Sequence, residues 1–329
     1  MNLITPARLG YTDSAALFQL QATTSGFMGS EISLDCNDLR FVDPLGLCVL
    51  HHWFKDLESR GIRVELINLP LAVETWLRRM DLFHDLSNLH FDDRTSGHVR
   101  NDHQGNLIEV RSVESLNDAD EVANEIANAI VKDVSDISWL DDGMKASEGE
   151  VLVCELGYVF SELLNNALDH GRSRGYRDSC AKVAAQYYPT PGKLRIAIVD
   201  NGCGLLETLS GHSRMEGDIT DRKAIQIALE PRVSCNRDVG LRSDSKNEGL
   251  GLTMSTNMAL EAGGKIGIFT GLGRLKRAKN ERTFNDPIQF WQGTAVFLEF
   301  DRQELTKLNR AKIAEAIPGF GVVPEINFG

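Results

Sequence analysis

Apolar positions recurring every three or four residues mark the helices of this chain, and short alternating runs mark its strands. The most sustained rhythm runs from Glu150 to Gly171, where Leu152, Leu156, Val159, Phe160, Leu163 and Ala167 line one face of a predicted long helix. Gly171 closes it with a residue that tolerates positive φ. A second helix is predicted over Asp118–Val134, with Val122, Ile126, Ile130 and Val134 spaced by four and Asn117 or Asp118 as its cap. Strands are predicted over Leu107–Arg111, Lys182–Tyr188, Lys193–Asp200 and Lys265–Thr270, and over the alternating run Thr294–Phe300. A helix over Leu252–Ala262 and a last one, opened by the Asp301/Glu304 capping pair and reaching about Ile317, complete this half. Antiparallel strands with helices on one face predict an α+β sandwich.

The first ninety residues have a different texture. Glu31–Asp35, Leu39–Val42 and Ile62–Ile67 read as strands. Between the last two lies a helix carrying Leu47, Leu50, Phe54 and Leu57, stopped at Arg60-Gly61, and a further helix carries Val73, Leu77 and Met80. Inside the first helix, one of the pair His51-His52 is expected to be packed and the other solvated, because helix neighbours point about 100° apart. Asp92–Asn106 is polar, contains two glycines and has no apolar rhythm, so it is the expected linker. Its His98 and His103 lack a third ligand and are not expected to hold a metal. The predicted organisation is a small α/β domain over 1–91, a linker over 92–106, a larger α+β domain over 107–317 and a loosely held tail over 318–329.

Length and charge narrow the function classes. A chain of 329 residues is long enough for two cores. Its net charge of −12 argues against general nucleic-acid binding. The exception is the run Arg274–Arg282, with Arg274, Lys276, Arg277, Lys279 and Arg282 in nine residues, read either as a docking loop for an acidic partner or nucleic acid or as a solvated hairpin tip. No apolar run is expected to span a bilayer, and the N-terminus lacks the apolar core of a signal peptide. The six cysteines are scattered without a C-x-x-C pair and read as reduced thiols of a cytoplasmic protein.

Candidate chemistry clusters in three short runs. Glu162 and Asn166 are four apart on the long helix, so a carboxylate suited to positioning or deprotonating a nucleophile shares a face with an amide suited to Mg²⁺. Asp200 ends a buried-looking strand and is followed by Gly202 and Gly204, which let a loop approach a ligand closely. Gly249, Leu250 and Gly251 open a helix whose backbone N–H groups form a phosphate cradle, with Arg242 and Lys246 as nearby cations.

In this order, Glu-x-x-x-Asn, Asp-x-Gly-x-Gly and Gly-x-Gly-Leu, the chain resembles the GHKL ATP-binding fold of gyrase, MutL, the large heat-shock ATPases, sensor histidine kinases and anti-sigma-factor serine kinases. The resemblance implies a two-layer α/β sandwich, the Bergerat fold, binding ATP with Mg²⁺. It implies that Asp200 accepts the adenine amino group, that Asn166 holds Mg²⁺ and that Glu162 orients a water or a partner's hydroxyl. Gly249, Leu250, Gly251 and Lys246 then meet the phosphates, and Thr294 joins Asp200 at adenine. His170 either touches phosphate or simply ends its helix, and 205–247 corresponds to the ATP lid.

The N-terminal pattern, from FVDPLGL (Phe41–Leu47) through RGIRVELINLP to MDLFHDL, is similar to STAS domains, the fold of anti-sigma-factor antagonists. In that family the loop after the strand carries a phosphorylated serine. Here Pro44 and Leu45 occupy both serine positions, so the domain is expected either to dock a partner or second subunit or to support the ATPase. The function implied is a cytoplasmic regulatory ATP-binding protein that hydrolyses ATP or phosphorylates a protein partner in the manner of the anti-sigma kinases. The alternatives are an ATP-gated homodimer of the MutL and heat-shock kind, or a non-catalytic nucleotide-dependent interaction module.

Overall fold

A computed structural model describes residues 1–97, 106–131, 147–215, 217–230, 251–284 and 289–307. The chain opens with Asn2–Ile4 (β1), Arg8–Leu9 (β2) and Ser14–Thr23 (α1), none of which stands out from the local pattern. Then follow Glu31–Asp35 (β3), Phe41–Val42 (β4), Pro44–Ser59 (α2), Arg63–Ile67 (β5), Leu71–Arg79 (α3) and Leu89–Phe91 (β6). Four of these strands form a parallel sheet in the order β1-β3-β5-β6, and β2 pairs with β4 beside it. Alternation sets the buried face: Ile32 and Leu34 of β3 and Val64 and Leu66 of β5 point inward, while Ser33 and Glu65 remain partly exposed. The start of the expected linker lies against α3, where Arg94 and Thr95 bond the buried Glu74 carboxylate. The histidines His98 and His103 lie outside the described residues.

The second unit comprises Leu107–Val113 (β7), Leu116–Val131 (α4), Glu148–Gly171 (α5), Ala181–Tyr188 (β8) and Lys193–Asp200 (β9). It continues with Gly204–Leu209 (α6), Asp221–Ala228 (α7), Gly251–Glu261 (α8), Lys265–Gly271 (β10), Gly273–Ala278 (β11), Glu281–Phe284 (β12), Trp291–Asp301 (β13) and Arg302–Thr306 (α9). All seven strands pair antiparallel in the order β12-β11-β10-β13-β9-β8-β7. Helices α4, α5 and α8 pack on one face through Val122, Ile126, Leu156, Phe160 and Met254 against Ile196, Ile198, Val296 and Leu298. The cap of α4 is Ser115, not Asn117 or Asp118. Ser115 Oγ accepts the Asp118 N–H while the Asp118 carboxylate accepts the N–H groups of Glu114 and Ser115. Ser147 and Glu150 form the same reciprocal box at the start of α5.

The opposite face of this sheet is covered by the N-terminal unit. Helix α2 is apolar on all sides, and every residue from Val42 to Phe54 is buried, because it lies between the two sheets. One core joins Phe18, Leu47, Trp53 and Leu34 of the first unit to Ala184, Ala197, Val199, Phe269, Trp291, Ala295 and Phe297 of the second. Tyr11 stacks on Phe297 with ring centroids 4.4 Å apart, and its hydroxyl reaches the Ile266 carbonyl at 3.4 Å.

Both histidines of α2 are therefore buried, contrary to the expected division of one packed and one solvated. His51 turns to the His84 carbonyl of its own unit, and His52 turns across the seam to the Val199 carbonyl.

The basic run forms the edge hairpin β11–β12, the second of its two expected readings, turning at Lys279-Asn280, but it is not solvated throughout. Alternation buries Leu275 toward the helices and sends Arg274 and Lys276 to the seam. There the Arg274 guanidinium lies 4.9 Å from the Phe18 ring, and Lys276 bonds the carbonyls of Tyr11 and Thr12. Lys279 pairs with Glu261 at 3.7 Å and the Arg282 guanidinium lies 4.8 Å from the Phe284 ring, so four of the five cations are engaged within the chain. Among the described residues one helical span, Gly149–Asp169 within α5, is apolar enough and long enough to cross a membrane, which the apolar runs alone did not suggest. Half of its most apolar stretch is buried in this core, and the span carries Glu150, Glu155, Glu162 and Asp169.

Candidate nucleotide site

Strand β9 delivers Asp200 to the edge of the helical layer. Its carboxyl is buried, and Oδ1 accepts two backbone N–H groups, from Gly202 at 2.9 Å and from Thr294 at 3.2 Å. Burial pushes this carboxyl up to about 7 from an ordinary value of 3.8, against the opposing pull of the two N–H donors. The acid is thus held in one orientation by the turn that follows it and by strand β13.

Glycine is required around this acid by close approach. A Cβ on Gly202 would lie 2.2 Å from the Gly171 carbonyl oxygen, and one on Gly293 would lie 2.2 Å from the Asp200 carbonyl oxygen. Gly293 and Gly204 also have φ of +99° and +79°. The last turn of α5, the loop after β9 and the start of β13 therefore meet at van der Waals distance. Cys203 N–H donates to the Gly171 carbonyl at 3.2 Å, and the Gln292 side chain donates to the Gly202 carbonyl. Asn201 Oδ1 accepts the Cys180 N–H, tying the same loop to the entrance of β8.

Two turns earlier on α5 stand Glu162, buried, and Asn166, half-buried. The first residue of α8, Gly251, packs against Glu162: a Cβ there would lie 2.8 Å from the Glu162 Cβ. The tertiary structure thus gathers Glu162, Asn166, Asp200, Gly202, Gly204, Gly251 and Thr294 around the C-terminal half of α5. Of Thr294, it is the backbone N–H that meets Asp200. Gly249, Leu250, Lys246 and Arg242 lie outside the described residues, and His170 is placed by its backbone in the last turn of α5. The described part of the expected lid, 205–215 and 217–230, holds α6 and α7. Helix α7 is packed through Ile225, and Asp221 accepts the Leu272 N–H at 2.9 Å.

The model of histidine kinase-, DNA gyrase B- and HSP90-like ATPases matches residues 155–304, and the STAS-domain model matches residues 11–98. The chain is a STAS domain followed by a GHKL ATPase domain. No curated protein matches it. The ATPase match spans α5 through α9 and so contains every residue of the gathered site. The STAS match contains α2 and the residues that meet the ATPase sheet.

Sequence reasoning missed Gln292, Asn201 and Gly171 as parts of the packing around the loop that follows Asp200. Gly171 was legible as a helix stop, but nothing local marks it as the floor under Gly202.

Glycine at 171 keeps a side chain away from the acid, since a Cβ there would lie 3.5 Å from Asp200 Oδ1. For Mg²⁺, the described residues hold no cluster of three or more His, Cys, Asp or Glu side chains. The amide assigned to it, Asn166, is half-buried on α5 and carries an oxygen of the hard kind that Mg²⁺ takes.

Proposed function

We propose that this protein is a regulatory ATP-binding protein of the anti-sigma-kinase kind, binding ATP with Mg²⁺ and transferring phosphate to a partner protein's hydroxyl. The observation that carries the reading is Asp200. It is a buried carboxyl with one oxygen gripped by two backbone N–H groups, with the backbone of Gly171, Gly202 and Gly293 packed close around it. A carboxylate held this way accepts the adenine amino group and repels the guanine carbonyl. Asn166 is the amide that holds Mg²⁺, which when bound neutralises phosphate charge. Glu162 orients and deprotonates the attacking hydroxyl. The N–H groups opening α8, with Gly249, Leu250 and Gly251, receive the phosphates, and Lys246 and His170 are the side chains assigned to them.

The STAS domain is not the phosphoacceptor in this reading. Pro44 and Leu45 replace its serines and are buried at the seam with the ATPase sheet. STAS domains commonly mediate protein–protein contacts, so this one recruits the partner with the surface that the ATPase leaves open. The need for ATP, together with the thiols of Cys36, Cys48, Cys154, Cys180 and Cys203, supports a cytoplasmic location.

Calorimetry with ATP and ADP in magnesium buffer tests the pocket, with heat expected from both and none from GTP. Incubating the chain and a lysate of its source with γ-labelled ATP tests the transfer. Label is expected on a protein; label released wholly as free phosphate would leave an ATPase.

A further inference from the structure

His52 of the STAS helix α2 reaches across the seam, with Nε2 2.9 Å from the carbonyl oxygen of Val199. A carbonyl only accepts, so the proton of the neutral imidazole is on Nε2. Val199 immediately precedes Asp200, and its side chain is buried among the STAS residues while that of Asp200 points into the nucleotide niche. The same side of the STAS domain also supports strand β13, which supplies the second N–H to Asp200. The Trp291 ring packs edge-on against His52 and Phe18, with centroids 6.2 and 5.6 Å away, two residues before Gly293. Tyr11 stacks on Phe297 further along the same strand. Both strands that set the position of Asp200 are thus gripped from behind by one domain.

We infer that His52 is a positioning residue for the nucleotide site, and that the docked STAS domain holds Asp200 in its binding orientation through the Val199 carbonyl. This inference rests on the proposed adenine role of Asp200. It extends that role to the domain that touches no nucleotide. A partner that pulls α2 off the sheet weakens ATP binding, and by reciprocity ATP weakens that partner.

The test compares ATP affinity, by calorimetry in magnesium buffer, for the wild type, His52→Leu, His52→Gln and His52→Asn in the full chain. Gln places an N–H donor where the imidazole Nε2 lies; Leu has none, and Asn falls one methylene short. A lost neutral hydrogen bond is worth about 0.5–1.5 kcal/mol, so Leu and Asn are expected to bind ATP about three- to tenfold more weakly and Gln to regain most of that. A general loss of packing does not produce rescue by Gln. If the wild type binds ATP and all variants that fold bind it equally, His52 does not position Asp200. If Gln is as weak as Asn, the donor is not what matters and the inference fails as well. Should Leu not fold, the Gln–Asn pair carries the same comparison. Absence of ATP binding by the wild type would instead remove the nucleotide reading itself.

Discussion

Gly251 and Glu162 touch: a Cβ on the first residue of α8 would lie 2.8 Å from the Cβ of the acid on α5. The phosphate-side helix and the proposed base are thus set at one distance by the absence of a single methyl group. Gly251→Ala must push α8 away from α5. The expected outcome is loss of ATP turnover, by about tenfold or more, with a smaller loss of thermal stability. Steady-state phosphate release and a melting curve on the same sample measure the two. Turnover at the wild-type rate would show that this contact is not needed for the chemistry.

Glu162→Ala removes the proposed base while leaving Asp200 and its two N–H donors in place. ATP is expected to bind with near-normal affinity and to turn over about 10²–10⁴ times more slowly. Binding by calorimetry and single-turnover kinetics separate the two effects. Equal turnover by wild type and variant would falsify the role.

Asp200 predicts a pH dependence of known sign. Its folded-state carboxyl is raised to about 7, above the ordinary 3.8, by burial. The stability contributed by the neutral form is therefore fully present below pH 3.8 and is lost as pH rises through about 7. ATP binding runs the other way, because the ionised form is the better acceptor for the adenine amino group. Affinity is expected to rise between pH 6 and pH 8, and Asp200→Asn is expected to abolish it at both. The same Asn variant, which keeps an oxygen for Gly202 and Thr294, should melt higher than wild type at pH 8. Below pH 4 the two should melt together. A melting difference that is the same at both pH values would show that ionisation of Asp200 is not its source.

The seam predicts that the two domains unfold together. Phe18 of α1 is fully buried between the Arg274 guanidinium and the rings of Phe269 and Trp291. Phe18→Ala should cost about 3–5 kcal/mol. Scanning calorimetry should show one transition shifted down as a whole. Two separated transitions in the wild type would mean that the domains are thermodynamically independent.

Deleting residues 1–91 should expose Phe269, Trp291 and Phe297 as one apolar patch on the bare sheet. The shortened chain is expected to aggregate or to bind a hydrophobic dye strongly. A monodisperse, dye-silent fragment would show that the sheet does not depend on its cover.

Much of the fold was legible because it is local. Strand β9 was found to its ends, from Lys193 to Asp200, since its apolar residues occupy both faces and a turn and a glycine loop bound it. The long helix was found because its stripe, from Leu152 to Ala167, persists for about four turns. The failures share one cause. His51 and His52 looked alike from the sequence, and Arg274 looked like its solvated neighbours. What meets His52 and Arg274 is a partner surface more than a hundred residues away, and His51 meets the His84 carbonyl of its own domain.

The order of the motifs and the alternation of each strand are properties of neighbours in the chain, so the sequence determined them alone. That the Thr294 N–H meets the Asp200 carboxyl, that Gly171 lies beneath Gly202, and that a STAS helix closes the back of the ATPase sheet were decided only on folding. Those contacts depend on how the strands pair across the sheet and on which apolar face finds which. Periodicity states that a face must be covered and is silent on what covers it.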